Sequence, residues 1–98
     1  MIEYLYNAIR ATAGKPICIC AKVVGLEDQL ITDNCSIMLH KPDGTMFFST
    51  PGTYLEETEI WQFDIPASAT TGLVGRYWYC LCHKEEDLCF KQPIYLVE

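Results

Sequence analysis

"GRYWYCLC", residues 75–82, packs two tyrosines, one tryptophan and two cysteines into eight consecutive positions. Successive side chains of a β-strand point to opposite faces. Read as a strand, this segment therefore carries large apolar or sulfur groups on both sides. One side belongs to the core of the domain, and the other needs a different partner. Arg76 supports one register, because an arginine is rarely buried unpaired. Tyr77, Tyr79 and Leu81 then point inward, while Arg76, Trp78, Cys80 and Cys82 point outward. A slip of one residue would bury Trp78 and both cysteines and expose two tyrosines and a leucine.

The same alternation recurs along the chain, broken by turn residues, and no segment shows a sustained helical apolar repeat. "IEYLYNAIRAT" reads as a first strand, closed by the turn "AGKP". "ICICAKV" sets Ile17, Ile19, Ala21 and Val23 on one face and Cys18, Cys20 and Lys22 on the other. "LEDQLITDN" is a polar connection. "CSIMLH" turns Cys35, Ile37 and Leu39 inward, and "KPDGT" carries the proline and Asp-Gly signals of a tight turn. "MFFST" is a short strand, and "PGTYLEETE" a loop or short edge segment. "IWQFDIP" puts Trp61, Phe63 and Ile65 inward and Gln62 and Asp64 outward. "ASATTGLVG" is a corner with room for a brief helical turn, and positive φ is expected at Gly72, Gly75 or both. After "RYWYCLC", "HKEED" is the turn into the last strand, "LCFKQPIYLV". Pro93 donates no backbone hydrogen bond, so that strand is expected to be an edge or bulged there.

About seven strands at this spacing predict an all-β domain, a two-sheet sandwich occupying residues 1–98 as one unit. The length of 98 residues suffices for one core. A net charge of −6 with only 7 scattered Lys and Arg excludes nucleic acid as the main partner. No run approaches the ~18 apolar residues of a membrane span. The start lacks the basic flank and unbroken apolar stretch of a secretion signal, so a cytoplasmic setting is expected. There the 6 cysteines default to thiols serving as small hydrophobes.

"GKPICICAKV", the turn "PDGT" and the run "WQFDIPASATTGLVGRYWY", in which an Ile-Pro and a Thr-Gly lead to Gly-x-Tyr, together make nearly the whole chain resemble a small immunoglobulin-like domain of bacterial or viral type. The resemblance implies an immunoglobulin-like β-sandwich, and Gly-x-Tyr in such domains sends the tyrosine inward. The chain departs from the antibody pattern. Trp78 stands two residues before Cys80 where a tyrosine would be, and "CSIMLH" has no tryptophan, so no antibody-type bridge between the sheets is expected. A chain of this size starting at Met1 resembles a phage-encoded virion protein, either a capsid decoration or a tail or baseplate component. That resemblance implies host cytoplasm and then the virion as its location, and virion proteins or further copies of itself as partners.

The sandwich order also implies that the third, sixth and seventh strands lie side by side. Their outward residues are Ser36, Met38, His40, Arg76, Trp78, Cys80, Cys82, Cys89, Lys91 and Tyr95. A contiguous apolar patch usually marks an interface, so Met38, Trp78, Cys80, Cys82, Cys89 and Tyr95 are the expected docking residues. Covering loops or sheet twist are the bland alternative.

Catalysis finds little support. Cys82 and His83 are adjacent in a strand and face opposite ways, His40 reads as a surface histidine, and Asp43, Asp64 and Asp87 read as solvated. No phosphate loop is present. Zinc on the two C-x-C pairs is disfavoured, because strand residues two apart lie nearly 7 Å apart at ~3.3 Å of rise each, and the pairs belong to different sheets. No cofactor is expected. Pairing His83 with Leu88 would set Cys82 opposite Cys89, close enough for a disulfide in an oxidising setting. The leading expectation is a non-enzymatic structural or adaptor protein. A carbohydrate-binding or adhesin module using Trp78 and Tyr95, and a redox or zinc protein, are the alternatives.

Overall fold

Alternation in "ICICAKV" becomes strand β3 (Ile17–Val23), in which every second residue is buried and the residues between are half-exposed. The same period runs through β4 (Cys35–His40) and β7 (Ile60–Ile65). These three strands supply the centre of the core: Ile19, Ile37 and Phe63 have no exposed surface. A computed structural model describes residues 2–6, 10–85 and 88–98. Its other strands are β1 (Ile2–Tyr6), β2 (Arg10–Thr12), β5 (Met46–Pro51), β6 (Thr53–Leu55), β8 (Gly75–His83) and β9 (Leu88–Val97).

Two sheets face each other, one of order β1-β3-β7-β6 and one of order β2-β9-β8-β4-β5. Every pairing is antiparallel except β2 with β9. This is a two-sheet β-sandwich, four strands packed against five. No helix of the described residues is long and apolar enough to cross a membrane.

One expectation changes, and two others resolve to one of their alternatives. The first strand divides: β1 joins β3 in one sheet and β2 joins β9 in the other, with residues 7–9 outside the described ones. "PGTYLEETE" contributes an edge strand, β6, paired with β7. The final strand lies inside its sheet, yet β2 pairs only with residues 95–97, so β9 has a free edge at Pro93. That is where a residue without an N–H is tolerated.

Turn chemistry explains the corners. In the 41–45 turn the Lys41 and Gly44 amides donate to Thr45 and Lys41 carbonyls at 2.9 Å. The Thr45 amide donates to Asp43 Oδ1 at 2.8 Å, a bond that holds the Asp43 carboxyl below its ordinary pKa. A 3₁₀ turn at Ala67–Ala69 forms the next corner. Gly72 and Gly75 leave it at φ 79° and 126°, a region that costs an L side chain and not glycine. At its base Thr70 is fully buried, and its hydroxyl accepts from the Gly14 amide at 3.0 Å. This bond ties the 13–16 turn to the corner that launches β8.

The register read for "GRYWYCLC" holds. Tyr79 and Leu81 are completely buried, and Tyr77 is half-buried, edge-on to Phe47 at 5.7 Å. Burial pushes the Tyr79 phenol above its usual pKa range. Because β8 and β9 pair over their full length, from Gly75 with Leu96 to His83 with Leu88, the outward residues of β8 stand in rows with those of β9 and β4.

Candidate docking face

Pairing fixes the outer surface of the five-stranded sheet. Cys89, Cys82 and Ser36 form one row, Lys91, Cys80 and Met38 the next, and Pro93, Trp78 and His40 the third. Tyr95 and Arg76 complete it at one end, with Arg10 of β2 beside Tyr95. On β5 a register shift between Leu39 and His40 turns Met46 out beside His40.

Trp78 is the centre of this face and is only half-buried. Arg76, two residues earlier on its own strand, places its guanidinium 4.6 Å from the ring centroid. Lys91 comes from the other direction, opposite Cys80, with its ammonium at 4.5 Å. Each such contact is worth about 0.5–1 kcal/mol at an exposed site. The ring thus brings two like charges close together.

The expected docking residues are brought to one face, but not all are accessible. Cys89 and Tyr95 are exposed, and Met38, Trp78 and Cys80 are half-buried. Cys82 is a correction: it keeps its outward register yet only 9% of it is exposed, because it is bonded to Cys89. Arg10 and Met46 belong to the face and were not singled out from sequence. The parallel pairing of β2 brings in the first, and a bulge that breaks simple alternation turns out the second. Among the described residues, no acidic side chain lies at an outward strand position of this sheet. Glu56, Glu57 and Glu59 cluster in the β6–β7 turn of the opposite sheet, and Asp64 lies on β7.

The cysteines correct a second expectation. Cys82 and Cys89 face each other with Cα atoms 4.1 Å apart and form a disulfide, which leaves four thiols, at Cys18, Cys20, Cys35 and Cys80, rather than six. The bond lies within one sheet, unlike the antibody bridge. Closing a loop of sequence separation 7 stabilises by about 2 kcal/mol in the chain-entropy account. Reduction is expected to remove that amount, read as a lower denaturant midpoint with and without a thiol reductant.

Cys18 and Cys20 correct the spacing argument: their sulfurs approach to 3.5 Å although the residues are two apart on β3. Burial, then the Cys20 hydrogen bond, pushes the Cys18 thiol up to about 12. These two sulfurs lie on the outer face of the other sheet, and Cys82 is consumed by its disulfide, so the two C-x-C pairs do not combine in a four-thiolate site. Cys35 is buried, and burial pushes its thiol up to about 12. It packs as a small hydrophobe. Asp87 lies outside the described residues. No protein family and no curated protein matches this chain, so its functional reading rests on the face around Trp78.

Proposed function

We propose that the protein is a non-enzymatic adaptor that docks through the outer face of its five-stranded sheet onto an acidic protein surface. One observation carries this reading. In a chain of net charge −6, that face displays Arg10, Arg76 and Lys91 around Trp78 and Tyr95 and, among the described residues, no carboxylate. Interface cores favour aromatic residues, Met and Arg. An acidic partner would neutralise two cations that share one ring, and burying the ring would contribute roughly 25 cal/mol per Å² of apolar area. The resemblance of the sequence to phage-encoded immunoglobulin-like proteins supports a virion component as the setting. Carbohydrate binding is the weaker reading, since cations already flank Trp78 and no carboxylate or amide stands at an outward position beside it.

The test compares the parent chain with Trp78→Ser and Arg76→Glu. Affinity capture from the producing cells, followed by identification of what binds, and light scattering for self-association are both expected to show a complex that weakens as salt screens its charges. Both substitutions are expected to abolish it. Trp78→Ser is expected to cost folding only about 1 kcal/mol, the worth of its cation contacts. A complex that survives both substitutions would refute the reading. So would a Trp78→Ser chain that does not fold, since the side chain would then belong to the core.

A further inference from the structure

At the end of the sandwich beyond the disulfide, His83 closes β8 with an imidazole that is buried, 4% of the residue exposed. Among the described residues, neither ring nitrogen has a hydrogen-bond partner. The ring is aimed at two carboxylates: Nε2 lies 3.5 Å from Asp33 Oδ1 and 3.8 Å from Glu85 Oε2. One ligand atom from each of the three residues falls within 4.8 Å of the others. Both carboxylates are exposed, at 63% and 55% of their side chains, so a cation could reach them from water.

We propose that Asp33, His83 and Glu85 bind a divalent cation of the zinc class, with the remaining coordination positions open to water. The separations suit it. Ligands at ~2.1 Å around a tetrahedral zinc lie about 3.4 Å apart, so small side-chain adjustments bring all three onto one ion. The donor set is one imidazole and two carboxylates. Imidazole selects zinc and its neighbours over magnesium and calcium, which prefer all-oxygen sites.

The backbone holds the three together. Cys35 pairs with His83, and the Lys84 amide donates to the Asn34 carbonyl at 3.2 Å. The Asn34 side-chain amide donates to Glu85 Oε1, leaving Oε2 to face the imidazole. Such outer partners orient metal-binding carboxylates. A bound ion would staple the loop before β4 to the β8–β9 hairpin. The site uses no cysteine, which is why reasoning on C-x-C spacing led to an expectation of no metal.

The test uses the full chain, stripped of metal and kept oxidised, titrated calorimetrically with Zn²⁺. One ion per chain is expected. Asp33→Asn and Glu85→Gln are each expected to weaken binding by more than the ~10–100-fold that loss of an outer partner costs. Both positions are exposed, so folding without metal is expected to be unchanged; His83→Gln is a further variant. The double substitution Cys18→Ser with Cys20→Ser is expected to bind as the parent does, and Co²⁺ to give visible bands without thiolate charge transfer. The proposal fails if no zinc is taken up, if the carboxylate variants bind like the parent, if the cysteine variant loses the ion, or if Ca²⁺ binds as tightly as Zn²⁺.

Discussion

Trp61→Ala is expected to lower the free energy of unfolding by about 3–5 kcal/mol, a large share of the ~5–15 kcal/mol typical of a domain. Two losses add. Trp61 is 4% exposed and lies between Tyr54 at 5.5 Å and Phe63 at 6.1 Å between ring centroids, so truncation leaves a cavity under the β6 edge. Its indole Nε1 also donates to the Ile31 carbonyl at 2.7 Å. That bond anchors the long connection between β3 and β4 to the core. Trp61→Phe separates the two terms, because it keeps most of the ring and strands the buried carbonyl at a cost of about 1–3 kcal/mol. Urea denaturation of both variants checks this. A loss for Trp61→Ala no larger than that for Trp61→Phe would show that the cavity term is absent.

Gly52→Val is expected to cost about 3 kcal/mol, the upper end for overpacking a well-filled core. Gly52 is the single residue between β5 and β6, where the chain leaves one sheet for the other. A Cβ there would lie 2.5 Å from a Phe63 ring atom and 2.8 Å from one of Trp61. Neither partner can yield easily. Phe63 is fully buried, and the Gly52 amide is itself held by the Cys35 carbonyl at 2.9 Å. The expected signature is a lower midpoint at an unchanged denaturant slope. A midpoint like that of the parent would mean that the corner relaxes outward.

Trp61 also shows how much of the fold was legible in one dimension. Its inward side follows from alternation with Gln62 and Asp64, and the same period placed Ile19, Ile37, Tyr79 and Leu81 in the core. Arg76 supported the register that the Gly-x-Tyr opening implies for β8, because a charge that is rarely buried assigns its strand neighbours to a face. Turn length did the same for the last hairpin, where counting back from "HKEED" pairs Cys82 with Cys89. Local rules suffice wherever a strand has one wet side and a short turn.

Such rules say nothing about which distant segments meet. β2 joins β9 in parallel, which only a long connection allows, and this contact alone brings Arg10 beside Tyr95. Asp33 and Glu85 look like solvated loop charges in the sequence, and the pairing of β4 with β8 delivers them to the same imidazole. Charge segregation arises the same way: acids and bases alternate freely along the chain, yet folding sorts three cations onto the Trp78 face and the Glu56, Glu57 and Glu59 turn onto the other sheet. The sequence by itself determined the strands, their inward faces and the sandwich class, because burial and turn chemistry act over a few residues. Tertiary structure decided the approach of the Cys18 and Cys20 sulfurs, the place of Arg10 and Met46 on the docking face, and the meeting of Asp33, His83 and Glu85. Those depend on side-chain distances across strands, which exist only once the sheets have formed.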